Sequence, residues 1–127
     1  YKAHEAGALP RDVIKIPALA GGAGMSERWF LCKTCKKVCK PRDLKMHDQH
    51  DILKHPTQKP FELTLKLIRA SMTAEQGTIV VPFAGSGSEC AAAKSEGHNF
   101  IGFELNPEYI KLAEGYIKNT EYSPRLL

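Results

Sequence analysis

The stretch Thr78-Ile-Val-Val-Pro-Phe-Ala-Gly-Ser-Gly87 decides the fold, because a β-branched run passes directly into a glycine turn. Residues 78–81 are suited to a short strand that is buried on both faces. An alanine-rich helix is expected over residues 89–96, where Gly97 ends it, and residues 99–104 are expected to form a second buried strand. Because a strand, a helix and a strand follow in this order, the two strands should be parallel. The sequence therefore predicts an α/β unit.

Further elements are predicted on both sides of this unit. Pro60 is placed to be the first residue of a helix with broad apolar coverage. A last helix is expected to have Asn106 as its cap, Pro107 as its first residue and an apolar stripe that reaches Ile117. Nearer the N-terminus, residues 11–16 alternate charged and apolar side chains and are predicted to form a half-buried strand.

The glycine turn and the acid that ends the next strand form the first candidate site. In a parallel α/β unit, such a turn lets backbone approach a ligand, and an acid at the next strand end can accept hydrogen bonds from a ribose. Gly85 and Glu104 occupy these positions, and their separation is close to the ~20 residues typical for adenosine-containing ligands. Cys90 replaces the third glycine of the dinucleotide fingerprint, which disfavours a nucleotide-dependent oxidoreductase. S-adenosylmethionine fits this pattern better than a dinucleotide does. The alternative interpretation is that residues 85–87 are only a tight turn and that Glu104 faces solvent.

A second candidate site is a cluster of cysteines and histidines. Cys32 and Cys35 are followed by His47 and His50, a pattern typical of tetrahedral zinc with four protein ligands, and such a site is structural. The two histidines would share one face of a short helix over residues 43–53. Cys39 is an alternative ligand, because Cys32, Cys35, Cys39 and one histidine would also form a four-ligand metal site. The other interpretation is a set of free thiols beside solvated histidines.

Positive charge is concentrated around this cluster. The chain has 127 residues and a formal net charge of +4, yet residues 28–59 contain nine basic residues and three acidic ones. Phosphate is the natural partner of such a block, although a solubilising surface has the same composition. The basic residues that would face such a polyanion are Lys33, Lys36, Lys37, Lys40, Arg42 and Lys45.

Composition excludes several classes of protein. Hydrophobic residues make up 43% of the chain and charged residues 25%, which is ordinary globular usage and excludes a disordered or collagen-like chain. No stretch approaches the roughly 20 apolar residues that cross a bilayer, and the N-terminus has no signal-peptide pattern. We therefore expect a cytoplasmic protein without a membrane partner.

Three blocks occur in the order typical of a known enzyme family. They are His55-Pro-Thr-Gln-Lys-Pro60, Val81-Pro-Phe-Ala-Gly-Ser-Gly-Ser-Glu89 and Phe100-Ile-Gly-Phe-Glu-Leu-Asn-Pro-Glu-Tyr109. Together they resemble the DNA amino-methyltransferases, which modify the N6 of adenine or the N4 of cytosine. The resemblance implies a partial Rossmann-like S-adenosylmethionine-dependent methyltransferase fold. Residues 55–119 would be its cofactor-binding α/β unit, and residues 28–54 a basic zinc-binding insert.

The resemblance also implies roles for individual residues. Thr57 and Lys59 would hold the methionine carboxylate, the latter as a point positive charge, and Glu104 would accept from the ribose. The loop under the cofactor would consist of Phe83, Ala84, Gly85 and Gly87. The family's glycine block usually begins with aspartate, whereas this chain has Val81. A carboxylate that could order the methionine amine is therefore absent from that position.

Enzymes of this family contain an Asp-Pro-Pro-Tyr or Ser-Pro-Pro-Tyr block, which presents the flipped base to the methyl group. This sequence has no counterpart of the block, because it contains no Pro-Pro pair. In one class of the family this block precedes the HPTQKP segment, which would place it before Tyr1. We therefore interpret residues 1–127 as the C-terminal portion of one methyltransferase domain, without catalytic residues and inactive by itself. Its expected partners are double-stranded DNA and the missing N-terminal catalytic portion, in a prokaryote or phage. The alternative is a zinc-containing nucleic-acid-binding module on an inactive α/β scaffold.

Overall fold

The computed structural model describes residues 13–19, 22–72 and 75–123. Two 3-10 helices, Gly22–Glu27 and Pro41–His47, lie in the N-terminal half. The strands and α-helices of the described residues are β1 (Phe30–Cys32), β2 (Lys37–Cys39), β3 (Ile52–Lys54), α1 (Phe61–Ser71), β4 (Thr78–Val81), α2 (Ser88–Ser95), β5 (Asn99–Gly102) and α3 (Pro107–Lys118). No helix in this described part is long and apolar enough to cross a membrane.

The pairing of β4 with β5 confirms the predicted parallel unit. Its register runs from Thr78 opposite Asn99 to Val81 opposite Gly102. The helix α2 connects the two strands and packs against both of them, and α1 and α3 each pack against α2. The chain is therefore a mixed α/β protein, with its main core between the parallel pair and the helices.

The described residues cover only one face of this parallel pair. Ile79 and Phe100 point toward α1 and α2 and pack against their buried side chains. On the opposite face Val80, Ile101 and Phe103 are exposed by 58, 50 and 57%. The prediction of strands buried on both faces is therefore wrong, because no other described element lies over the second face.

The helix ends follow local signals in the sequence. The α3 cap is confirmed, since the Asn106 side chain accepts a hydrogen bond of 2.9 Å from the Glu108 amide and Pro107 is the first helical residue. Gly97 follows α2 with φ of +81°, a conformation that glycine adopts at low cost. Pro60 immediately precedes α1 rather than being its first residue.

The strands β1, β2 and β3 form a separate antiparallel sheet with β1 in the centre. This sheet packs on α3, where Val38 occupies the space that a side chain at Gly115 would need. The rings of Trp29 and Tyr116, with centroids 5.2 Å apart, extend the same contact. Residues 28–54 are thus joined to the α/β unit through α3.

Two predictions for the N-terminal half are wrong. Residues 13–16 form no strand, since no described segment pairs with them, while the remainder of the predicted strand, residues 11 and 12, lies outside the described residues. The predicted helix over residues 43–53 does not form either. The 3-10 helix ends at His47, and Gln49 has φ of +61°, which breaks the helical path before β3 begins.

Candidate functional site

A cavity of about 230 Å³ lies where β4 and β5 end. Carboxyl ends of parallel strands are the usual ligand sites of α/β units. The residues that line the cavity are His55, Thr57, Lys59, Phe83, Ala84, Gly85, Ser86, Glu89 and Glu104. Six of the seven predicted cofactor-binding residues are therefore brought together in one cavity wall.

Gly85 and Glu104 meet directly in this cavity. The Gly85 amide donates a hydrogen bond of 2.8 Å to the Glu104 carboxylate, and the neighbouring Ala84 amide donates to the Phe103 carbonyl. Gly85 has φ of +53°, and a Cβ at this position would lie 2.8 Å from Nε2 of His55. Only glycine combines this backbone conformation with room for the neighbouring ring.

The Glu104 carboxylate is fixed by backbone amides. Hydrogen bonds from the amides of Asn106, Gly85 and Leu105 hold its pKa below the usual range, against the opposing effect of burial. The group is consequently ionised at neutral pH. It can act as a charged hydrogen-bond acceptor at the cavity wall.

His55 lines the cavity although it was not among the predicted cofactor-binding residues. Its ring lies edge-on to Tyr109, with centroids 4.5 Å apart. Burial lowers the pKa of His55, and its Nδ1 atom is buried without a hydrogen-bond partner among the described residues. The ring is therefore neutral at pH 7. The sequence feature that could have predicted this position is that His55 directly precedes the Pro-Thr-Gln-Lys-Pro segment.

An ion pair occupies the other side of the cavity. Nζ of Lys59 lies 2.7 Å from a carboxylate oxygen of Glu89, which belongs to the first turn of α2. Ser86 and Glu89 were not predicted as site residues. For Glu89 the signal is positional, because the first turn of a helix that follows a glycine turn faces the ligand.

Gly87, the seventh predicted residue, does not line the cavity. Its φ is +82°, and a Cβ there would lie 2.8 Å from Cβ of Ala113 in α3. Gly87 therefore lets the start of α2 approach α3. Its role in this structure is close helix packing.

The predicted cysteine and histidine residues also come together. The ligand atoms of Cys32, Cys35, His47 and His50 all lie within 4.8 Å of one another. Cys32 Sγ is 3.3 Å from Nδ1 of His50, and Cys35 Sγ is 3.3 Å from Nδ1 of His47. Cys39 is outside this group, because it pairs with Phe30 in the sheet while Cys32 pairs with Lys37.

The two thiols at the centre of this cluster differ in acidity. Burial raises the pKa of Cys32, but hydrogen bonds from the backbone and thiol of Cys35 and from His50 outweigh it and hold the pKa at about 6. The pKa of Cys35 is raised, first by its hydrogen bond to Cys32 and then by burial. Cys32 is thus the more acidic of the two thiols, and the thiolate is the form of cysteine that binds metal ions.

A family model for DNA methylase matches residues 13–115 of this chain. The chain belongs to the DNA methylase family. The predicted resemblance to the DNA amino-methyltransferases is thereby confirmed. Because the match begins before β1, it includes the Cys/His segment as well as the α/β unit.

Several curated bacterial proteins are similar to this methylase chain. The DNA adenine methyltransferase YhdJ of Escherichia coli (strain K12) is 45% identical over 73 residues, which are 57% of this chain and 24% of YhdJ. The type II methyltransferase M2.DpnII of Streptococcus pneumoniae is 48% identical over 60 residues, or 47% of this chain and 22% of the relative. The type II methyltransferase M.HinfI of Haemophilus influenzae is 34% identical over 80 residues, or 63% and 22%. The chain matches less than a quarter of each of these relatives.

The six basic residues around the Cys/His cluster differ in how far they are engaged within the protein. Lys33 forms ion pairs with Asp51 at 2.9 Å and with Glu108 at 3.2 Å, and Nζ of Lys40 lies 4.2 Å above the ring of Trp29. Arg42 is 86% exposed with a 3.8 Å contact to its neighbour Asp43. The other three basic residues, Lys36, Lys37 and Lys45, are exposed and form no ion pair with a carboxylate among the described residues.

The neutral His55 ring predicts a pH dependence of stability. Because burial lowers the pKa of His55 in the folded state, the unfolded chain takes up a proton more readily than the folded protein. The contribution of His55 to the free energy of unfolding is therefore present above the unfolded pKa of about 6.5, and it is lost as pH falls through that value toward the folded pKa. Urea unfolding of the wild type between pH 7.5 and 5 should therefore show a steeper loss of stability than unfolding of His55→Asn. Parallel pH profiles for the two proteins would contradict this assignment.

Proposed function

We propose that this chain is the S-adenosylmethionine-binding portion of a site-specific DNA methyltransferase that acts on an exocyclic amino group, N6 of adenine or N4 of cytosine. The observation that carries the proposal is the contact of the glycine turn with Glu104 at adjacent parallel strand ends, in a chain of the DNA methylase family. This arrangement supports a Rossmann-like methyltransferase fold. The name of YhdJ favours adenine, and the type II relatives favour a restriction–modification context in the bacterial cytoplasm.

The adenosine part of the cofactor would bind at the strand ends. Glu104 is ionised and retains lone pairs for ribose hydroxyls beside its three amide hydrogen bonds. Phe83 is 86% exposed and presents an apolar ring at the cavity wall. Together with Ala84 and Gly85 it would form the surface under the cofactor.

The methionine part of the cofactor would bind at the Lys59–Glu89 ion pair. This moiety carries an ammonium and a carboxylate, and the pair offers one charge of each sign. Lys59 and Thr57 would hold the carboxylate, while Glu89 would accept from the ammonium. Glu89 would thereby supply the carboxylate that the family resemblance expects at the position of Val81.

We propose that a further portion of the methyltransferase packs on the uncovered sheet face. Val80, Ile101 and Phe103 leave an apolar surface on the parallel pair. The cavity, at about 230 Å³, is also smaller than the roughly 300 to 1,000 Å³ of typical ligand sites. A further portion of the domain would cover this face, complete the cavity and carry the Pro-Pro-aromatic block.

Zinc is the metal that we propose for the Cys/His cluster. Two thiolates and two imidazoles form a typical structural zinc set, and Zn–S and Zn–N bonds of normal length place S and N about 3.6 Å apart. The two S–N distances of 3.3 Å are close to that value. The mutual distances favour Cys32, Cys35, His47 and His50 over any set that contains Cys39.

Double-stranded DNA is the proposed macromolecular substrate. Lys36, Lys37, Arg42 and Lys45 would contact its phosphates, because they are exposed and largely free of protein partners. Lys33 and Lys40 are engaged within the protein, so their contribution would be secondary.

Calorimetric titration with S-adenosylmethionine tests the cofactor site. The wild type should bind, and Glu89→Gln should lose about ten-fold or more in affinity because a charged hydrogen bond contributes about 1.5–3 kcal/mol. Glu114→Gln, an exposed change on α3, is the matched control and should bind as the wild type does. Unchanged affinity of Glu89→Gln would contradict its role. Absence of wild-type binding at millimolar cofactor would favour the nucleic-acid-binding module instead.

Salt-dependent binding to duplex DNA tests the free lysines. The double variant Lys36→Gln with Lys37→Gln should bind more weakly, and its log K against log salt slope should become shallower by roughly 0.9 for each phosphate that is no longer neutralised. The corresponding double substitution at Lys111 and Lys118, exposed lysines of α3, is the control. An equal effect of both double variants would point to non-specific charge rather than to this surface.

Methyl transfer from labelled S-adenosylmethionine to mixed-sequence DNA tests the need for the missing portion. The 127-residue chain alone should transfer no methyl groups above background, because it contains no Pro-Pro-aromatic block. Robust methylation by this chain would refute the assignment of catalysis to another portion.

A further inference from the structure

Three of the residues that line the cavity come from one short loop. Residues 55–59, hereafter the pocket loop, contribute His55, Thr57 and Lys59 to the cavity wall. The loop contains no helix or strand. Its shape therefore depends on the groups that hold it from outside.

Residues immediately before β1 hold this loop. The Arg28 guanidinium is buried and donates to the carbonyls of His55 at 3.2 Å and Pro56 at 3.3 Å. The side chain of Gln58, also buried, accepts from the Trp29 amide at 3.1 Å. The backbone of the pocket loop is thus fixed to the beginning of β1.

The strand β3 holds the loop from the other direction. Lys54, the last residue of β3, pairs with Phe30 of β1, and the pocket loop begins at the next residue. At the opposite end of the same strand pair, the Lys33 amide donates to the Asp51 carbonyl at 2.8 Å and the Asp51 amide donates to the Thr34 hydroxyl. The register of β3 on β1 therefore sets where the loop starts.

The Cys/His cluster lies at that opposite end. Cys32 ends β1, Cys35 follows it in the turn, and His50 stands two residues before β3. The strands have only three residues each, and a segment as short as residues 28–54 is rarely stable without a metal or disulfide. Bound metal would supply that stability, because ligands that are close only in the fold convert binding energy into folding energy.

We propose that zinc at Cys32, Cys35, His47 and His50 fixes the pairing of β1 with β3 and thereby holds the pocket loop in its cofactor-binding shape. The inference rests on the proposed function, since it assigns the cavity to S-adenosylmethionine. No ligand of the metal lines the cavity, so the effect is one of positioning. The free lysines beside Cys35 are a separate feature of the same segment.

The test uses the whole 127-residue chain with its metal content measured by mass spectrometry. The wild type should contain one zinc ion, and Cys35→Ser or chelator treatment should remove it. Both zinc-free forms should bind S-adenosylmethionine about ten-fold more weakly, a size typical of coupling between two sites. Returning zinc to the chelated protein should restore the affinity.

Two further variants separate the metal from its neighbours. His47→Cys preserves four zinc ligands and should retain both zinc and cofactor affinity. Cys39→Ala, a buried cysteine outside the cluster, should also retain both. Loss of zinc from Cys39→Ala would overturn the assigned ligand set.

Hydrogen exchange separates this inference from the proposed function. Zinc removal should increase amide exchange in residues 52–58 while α2 remains protected, whether or not cofactor binds. Unchanged exchange and unchanged cofactor affinity in zinc-free protein would overturn the coupling, as would a wild type that binds no zinc. A zinc-loaded wild type with an ordered loop but no affinity for S-adenosylmethionine would instead overturn the cofactor assignment.

Discussion

The contact between the glycine turn after β4 and the carboxylate after β5 is the constraint on which the cavity depends. Parallel pairing brings two strand ends to the same edge, and the 2.8 Å hydrogen bond from Gly85 to Glu104 fixes them relative to each other. The left-handed turn at Gly85 also leaves room for the His55 ring. The proposed adenosine site and the placement of the pocket loop therefore depend on the same short turn of backbone.

Elements specified by neighbouring residues were predictable from the sequence. Asn106 and Pro107 define the start of α3 by their own hydrogen bond and ring geometry, and Gly97 ends the α2 segment through its own backbone freedom. The parallel pair followed from chain order alone. By contrast, residues 13–16 form no strand and Val80 is exposed because no described segment lies against them. Hydrophobic periodicity carries no information about which segments pack together.

The candidate sites show the same difference between features set by neighbouring residues and features set by distant parts of the chain. Cys32, Cys35, His47 and His50 were predictable as a group, since ligand spacing survives an error in the helix assigned to the histidines. The ion pair of Glu89 with Lys59 joins residues thirty positions apart, so only the place of Glu89 in the first turn after the glycine turn was readable from the sequence. Charge counting likewise treated six basic residues as equivalent, whereas Asp51 and Trp29 engage two of them.

Arg28 gives residues 28–54 a structural connection to the cavity in addition to their positive charge. Its guanidinium is 8% exposed, and its hydrogen bonds go to main-chain carbonyls, with no carboxylate in ion-pair contact among the described residues. Burial of a charge without a counter-ion is costly, so this arrangement is poorly explained as a source of stability. It does fix two successive carbonyls of the pocket loop at defined positions. The buried charge thus favours precise placement of the pocket loop, whose backbone is tied to the residues immediately before β1.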